Sequence, residues 1–179
     1  MEPEKPLEFV SDYLSPLGRI VLAADGTGEF LTGLWFEGQA YFASGLSERR
    51  ESRRLPVFEV TAEWLDRYFS GEVPVSVPPL LLRGTPFRRR VWNTLLTVPY
   101  GAVVSYGELA GMILRDDGDP GGTKGNAGAR AVGSAVGHNP VSLIVPCHRI
   151  VGADGSLTGY AGGIGRKLRL LELERGVLC

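Results

Sequence analysis

Three prolines, Pro74, Pro78 and Pro79, interrupt this chain before its midpoint. A proline ring fixes φ and removes the backbone donor, so no helix runs through such a passage, which suits an extended linker. We therefore place a domain boundary near residue 82 of the 179, with a first domain over 1–82 and a second over 83–179. Charge divides at the same point. Residues 1–82 hold seven Lys/Arg against thirteen Asp/Glu, and residues 83–179 hold twelve against seven, so a net charge of −1 conceals an acidic half and a basic half. A basic half points toward a polyanionic partner, with ordinary scatter of surface charge as the alternative.

Composition narrows the class. A hydrophobic fraction of 44% and a mean hydropathy of +0.03 describe a soluble globular protein with enough chain to bury a core. No apolar run approaches the roughly 18 to 20 residues of a membrane helix, and no signal peptide opens the chain, so a cytoplasmic protein without a membrane partner is expected. Two cysteines, Cys147 and Cys179, are too few for a secreted disulfide scaffold, and reduced thiols are the reading. Cys and His are too few and badly spaced for zinc, and no metal or cofactor is expected. Cys179 reads as a free terminal thiol.

In the first half, Arg19–Ala24 and Leu31–Phe36 read as paired strands around an Asp25–Gly28 turn. Ser47–Arg54 reads as a solvated helix or loop. Thr61–Phe69 places Trp64, Leu65, Tyr68 and Phe69 on one helical face, more as core than as a ligand platform, and Gly71 can end that helix. In the second half, Pro86 suits a first helical position, with Val91, Trp92, Leu95 and Leu96 as a buried stripe through Thr97. Ser105 and Glu108 form a capping box for a helix over Tyr106–Ile113. Arg115–Gly125 reads as a mobile loop, and Asn126 as the cap of a helix through Val136 that Gly137 ends. Two helices so connected resemble a helix-turn-helix. Gly128-Ala129-Arg130-Ala131-Val132-Gly133-Ser134-Ala135 is small almost throughout, and each glycine weakens the helix by roughly 1 kcal/mol relative to alanine. Either a ligand approaches that backbone closely or another helix packs tightly on it. A last helix is expected over Arg166–Glu174 with Leu168, Leu170 and Leu171 inward.

Chemistry concentrates at Pro146-Cys147-His148-Arg149, inside the apolar run 143–151. Nearby positive charge favours thiolate, which makes Cys147 a candidate nucleophile. In an extended segment Cys147 and His148 point to opposite faces, so proton transfer between them needs a water or a turn at Pro146. Glu172 and Glu174 are the carboxylates available to orient the imidazole. A buried inert cysteine beside an ordinary surface histidine is the plain alternative.

The whole pattern resembles the O6-alkylguanine-DNA alkyltransferase family. It is carried by Pro99-Tyr100-Gly101, Ser105–Ala110, Ala129–Gly133, Asn139-Pro140, Ile144–Ile150 and Gly159–Gly163, in the family's order across 86–174. Ser15–Gly18 and Gly33–Phe36 look like its N-terminal domain. The resemblance implies an α+β fold: an RNase H-like α/β N-terminal domain with a small antiparallel sheet, and an all-α, winged-helix-like helix-turn-helix C-terminal domain. It implies a monomer that acts on double-stranded DNA containing O6-alkylguanine, and also O4-alkylthymine, in a single self-inactivating transfer. Cys147 would accept the alkyl group, with His148 as base through a water, Glu174 orienting it, Asn139 as hinge, and Tyr106 donating a proton toward guanine N3. Arg130 would fill the stack left by the flipped nucleotide, while Gly128, Ala129, Gly133 and Ser134 meet the minor groove. Val145, Pro146, Tyr160 and Ala161 would line the substrate pocket. Ala161 stands where many relatives carry serine, leaving only its backbone N–H for the base, and the 115–125 loop is longer than usual, read as a tolerated surface insertion. A non-catalytic alkyltransferase-like damage sensor is the alternative, disfavoured because the acceptor cysteine is kept. A cysteine hydrolase is a more distant one.

Overall fold

The computed structural model describes residues 6–116 and 125–176. It divides into two units, Met1–Leu82 with Pro140–Ser142, and Arg83–Asn139 with Leu143–Cys179. Among the described residues no helix is long and apolar enough to cross a membrane.

The first unit is a sheet with one helix. Strands β1 (Glu8–Ser15), β2 (Gly18–Ala24), β3 (Leu31–Phe36) and β4 (Arg50–Ser52) lie in the order β3-β2-β1-β4. The expected β2–β3 pairing is antiparallel, and the Asp25 carboxylate fixes the turn by accepting from the backbone N–H groups of Thr27, Glu29 and Phe30. Ser15-Pro16-Leu17-Gly18 proves to be a second turn, between β1 and β2, closed by Ser15 Oγ donating to Gly18 O. Strand β1 was not foreseen from the sequence. Neither was β4, which falls inside the stretch 47–54 read as helix or loop and pairs parallel with β1. All three β4 residues are exposed, so no alternation of apolar and polar residues marks it.

Every residue of β3 is buried, and its outer edge is covered. Leu31 exchanges backbone hydrogen bonds with the proline-rich segment (its N–H to Pro79 O, the Leu81 N–H to its own O). Leu34 does the same with Pro140 and Ser142. The proline passage is therefore extended, as expected, and also pinned. Helix α1 (Pro56–Phe69) starts five residues earlier than expected, with proline in its first turn, and buries Val57, Phe58, Thr61, Leu65 and Tyr68. Trp64 and Phe69 are only half-buried. Gly71, at φ +86°, ends the helix as expected: its N–H donates to Tyr68 O and that of Glu72 to Arg67 O, the paired bonds of a Schellman turn.

The second unit is helical with one short parallel strand pair. Helix α2 (Pro86–Leu95) is capped by the Thr85 hydroxyl, which accepts from Arg88 N–H, and buries Val91, Trp92 and Leu95. Leu96, expected on the same stripe, follows the helix and is half-buried. Strand β5 (Val104–Ser105) leads into α3 (Tyr106–Asp116) through the expected capping box, with Ser105 N–H donating to Glu108 Oε2 and Glu108 N–H to Ser105 Oγ. Helix α3 runs through Arg115, and α4 (Gly125–Gly137) begins one residue before its expected Asn126 cap, so both helices take residues from the expected loop, whose remainder lies outside the described residues. A single 3₁₀ turn (Cys147–Arg149), strand β6 (Ile150–Val151), paired with β5, and α5 (Ile164–Glu174) complete the unit. Cys179 also lies outside the described residues.

A polar contact joins helices α2 and α4, the buried Trp92 indole N–H donating to Ala135 O at 2.8 Å. Ala135 is in the last turn of α4, where a carbonyl lacks an intrahelical partner. Trp92→Phe keeps most of the packing and removes that donor, so it should lower stability by about 1–3 kcal/mol. Urea unfolding with an unchanged midpoint would show that this bond does not hold the helices together.

Candidate active site

Pro146 (φ −82°, ψ 63°) makes a tight inverse γ-turn, with Cys147 N–H donating to Val145 O at 2.8 Å. The next three residues form the 3₁₀ turn, so Cys147 and His148 are not on opposite faces of an extended strand, as their sequence adjacency alone would allow. Side chains of a 3₁₀ turn diverge by a third of a revolution per residue. The turn resolves the direction that each side chain takes, and all of 141–151 is buried.

Cys147 is a free, buried cysteine, and Asn139 Nδ2 donates both to its Sγ, at 3.1 Å, and to Val145 O, at 2.8 Å. Burial pushes the thiol pKa up, while the Asn139 hydrogen bond and the Lys167 charge draw it down, and burial prevails. The positive charge that draws it down is that of Lys167 rather than that of the adjacent histidine and arginine read from the sequence, and at rest the sulfur keeps its proton. A base is therefore needed before it can act as a nucleophile.

His148 and Glu174 are brought together, Nε2 lying 2.6 Å from Oε1 with both side chains at 0% exposure. Burial lowers the His148 pKa against the opposing pull of Glu174, so the ring is neutral near pH 7. Burial would raise the Glu174 carboxyl, but the His148 hydrogen bond and charge, followed by those of Arg149, hold it down to about 2. An ionised carboxylate only accepts, which assigns the ring proton to Nε2 and leaves the lone pair of Nδ1 for base work.

Arg149 and Lys167 were not singled out from the sequence as site residues. Arg149 donates Nε to Glu174 Oε2 and Nη2 to Oε1, each at 2.9 Å, and Nη1 to Val98 O at 2.7 Å. The Gly101 N–H adds a further bond to Glu174 Oε2 at 3.1 Å. Lys167 is wholly buried and donates to Ile150 O, Thr158 O and Gly159 O. Its signal was in the sequence. Lys167, Leu170, Leu171 and Glu174 are the buried positions of α5, an i, i+3, i+4, i+7 stripe with a charge at each end. The expected inward Leu168 is 43% exposed instead.

The remaining candidates fall into two groups. Tyr106 Oη lies 3.4 Å from both Thr158 O and Gly159 O, and burial, then Cys147, raises its pKa, so it retains its proton. Gly159 adopts φ +57°, and a Cβ there would stand 3.2 Å from that hydroxyl. The Tyr160 ring lies edge-on to His148, with centroids 6.5 Å apart, and Ala161 beside it is half-buried. On α4, Arg130 and Ser134 are exposed while Gly128, Ala129 and Gly133 are half-buried. A Cβ at Gly128 would meet nothing within 4 Å, and one at Gly133 would make ordinary contact with the Tyr106 ring at 3.8 Å. Among the described residues, packing therefore demands neither glycine. Among the described residues no cluster of His, Cys, Asp and Glu could hold a metal ion.

The sign of the pH dependence follows from these shifts. Unfolded chains take up a proton on His148 near 6.5 before the folded protein does, so stability declines as pH falls below 6.5. Glu174 is ionised in both states above 4.5, and its contribution is lost as pH falls from 4.5 toward 2, about 3 kcal/mol shared across its network. Glu174→Gln leaves Arg149 buried without a counter-charge and should cost about 3–5 kcal/mol at pH 7. It should also flatten the fall between pH 4.5 and 2 in urea unfolding. A variant as stable as the parent at pH 7 would refute this account of the network.

Two family profiles match the chain, the "6-O-methylguanine DNA methyltransferase, DNA binding domain" over residues 86–176 and its "ribonuclease-like domain" over 10–80. The methylated-DNA--protein-cysteine methyltransferase of Mycobacterium bovis is 47% identical over 161 residues, covering 90% of this chain and 88% of its own. That of Haemophilus influenzae is 40% identical over 168 residues, with 93% and 86% covered. A crystal structure of Mycobacterium tuberculosis OGT in complex with DNA superposes with a TM-score of 0.76 at 44% identity, covering 95% of this chain and 93% of that one. The α+β architecture, a small sheet with one helix and a helical second unit, is that of these relatives. On these matches the chain belongs to the 6-O-methylguanine DNA methyltransferase family.

Proposed function

We propose that this protein repairs DNA by direct reversal, moving the alkyl group of O6-alkylguanine onto Cys147 in a reaction that consumes the thiol. The observation that carries this reading is a buried, protonated thiol followed immediately by a buried histidine–carboxylate pair. The acidic region 1–82 supports, and the basic region 83–179 binds DNA and holds the acceptor. The DNA-bound relative favours the same partner for this chain. The protein acts as a monomer in the cytoplasm, and O4-alkylthymine is a second substrate.

The target carbon is out of reach within a duplex, so the nucleotide must leave the stack. Helix α4 is suited to that extrusion, since Gly128 leaves its backbone open to close approach and the exposed Arg130 is free to enter the gap. Base contacts then fall to the pocket formed by Val145, Pro146, Tyr160 and the backbone at Ala161. His148, through one water, takes the Cys147 proton and is held by Glu174. The thiolate attacks the alkyl carbon in line, the carbon–O6 bond breaks as the carbon–sulfur bond forms, and its electrons pass to the guanine. Tyr106 supplies a proton to N3, neutralising that charge, and recovers it from solvent. Asn139 keeps the sulfur in place throughout. The product is a thioether, and among the described residues none beside it offers a way to reverse it.

Duplex DNA carrying labelled O6-methylguanine should transfer label to the Cys147 peptide, at no more than one equivalent per chain. Repeated turnover, or label elsewhere, would overturn the reading. Arg130→Ala should slow repair of the duplex by about 10-fold or more, the equivalent of one lost contact at the flipped site. It should leave reaction with free O6-benzylguanine unchanged. Equal losses on both substrates would contradict the role of Arg130.

A further inference from the structure

Between Glu72 and Glu108 the chain holds four arginines, Arg83, Arg88, Arg89 and Arg90, and no acidic residue. Three of them are consecutive in α2, whose first turn has no acid to balance them. Neighbouring guanidiniums repel one another, and the packing of α2 gives no return for that cost, since the helix buries Val91, Trp92, Thr94 and Leu95 and leaves Arg89 exposed. The charge lies instead along a groove. A cavity of about 550 Å³ runs the length of α2, lined by Pro86, Arg89, Arg90, Asn93, Thr94 and Thr97. No acidic residue is among the described residues that line it. The Thr94 and Thr97 hydroxyls donate to Arg90 O and Thr94 O, so recognition falls to the two guanidiniums and the Asn93 amide. Planar guanidinium forks side by side match the oxygens of a phosphate.

The groove does not lie on the side of the unit that carries Arg130. Trp92 and Ala135 mark where α2 and α4 meet. At 3.6 residues per turn, Pro86, Arg90 and Asn93 stand roughly 100–160° around α2 from Trp92, and Arg130 stands roughly 140° around α4 from Ala135. The two basic features therefore face outward on opposite sides of the helix pair. We propose that the α2 groove is a second phosphate site, which takes the backbone of a second DNA segment while α4 holds the first, so that the protein is handed directly from one segment to the other. The inference rests on the reading of α4 as the helix that meets DNA. Two guanidiniums neutralise about two phosphates, against roughly 6–10 for a full interface, and each neutralised phosphate contributes about 0.9 to the salt slope of binding. The groove alone thus holds DNA weakly. It captures a passing segment without competing with α4, and releases it as readily.

The test follows release of the full chain from a labelled, undamaged duplex as unlabelled duplex is added, beside Arg89→Ala, Asn93→Asp and Arg175→Ala, all at exposed positions. Direct hand-over makes the parent's release rate climb with competitor concentration. Raising salt should suppress that climb with a log–log slope of about −2, one step of about 0.9 for each guanidinium. Arg89→Ala and Asn93→Asp should lose the climb while keeping parental affinity for a single short duplex and parental reaction with free O6-benzylguanine. Arg175→Ala, outside the groove, should keep it. A parental release rate that ignores competitor, a climb kept in both groove variants, or one lost equally in Arg175→Ala would overturn the proposal. So would weaker binding of a single duplex by Arg89→Ala, which would put the groove on the first DNA face. Inorganic phosphate at matched ionic strength should leave the climb as chloride does, and suppression by phosphate would assign the groove to the free anion and overturn the DNA source. A parent that binds no duplex at all would remove the proposed function together with this inference, a failure distinguishable from the others.

Discussion

One carboxylate organises the second unit. Glu174 sits at the end of α5 and draws in His148 and Arg149 from the 3₁₀ turn and the Gly101 N–H from the approach to β5. An ionised group removed from water is costly unless its lone pairs are filled, and here four donors fill them. Those donors come from separate stretches of chain, so satisfying one charge closes the fold around the thiol. The same constraint makes the histidine chemically useful. A carboxylate that cannot take a proton near neutral pH leaves one ring nitrogen as donor and the other as base.

Helix α4 is held by a different principle. Its glycines weaken it without serving the packing around them, since a side chain at Gly128 would meet nothing within 4 Å among the described residues. The helix is kept in place instead from outside its own sequence, by α3 and by the Trp92 indole on its last turn. Stability supplied by neighbours allows a local sequence poor in helix propensity. It also leaves one side of the helix free of bulk.

What the sequence disclosed followed the range of the interactions involved. The Ser105–Glu108 capping box, the Val91–Trp92–Leu95 stripe and the Gly71 stop are encoded within a few residues, and all were legible. The tetrapeptide around Cys147 was legible as chemistry because thiol, imidazole and guanidinium are neighbours in the chain. Lys167, and the pairing of Arg149 with Glu174, were missed for the opposite reason. A charged residue reads as solvated unless its partner is known, and the partners lie 17 and 25 residues away. Strand β4 was missed because it is an exposed edge that only β1 defines. In α5, leucines at 168, 170, 171 and 173 permit more than one inward face, and the buried lysine selects the one used.

The burial of Cys147 has a consequence for how long the protein stays usable. Oxidants and stray electrophiles act on exposed thiolates, and this sulfur is protonated and 3% exposed. Its ordinary state is therefore one of low reactivity toward small molecules in bulk solvent. On the proposed chemistry, discrimination lies as much in concealment as in recognition: a thiol that needs a base and a relay to ionise is preserved from chance encounters. On the proposed single transfer, in which the thiol is not renewed, shelf life and selectivity are the same property.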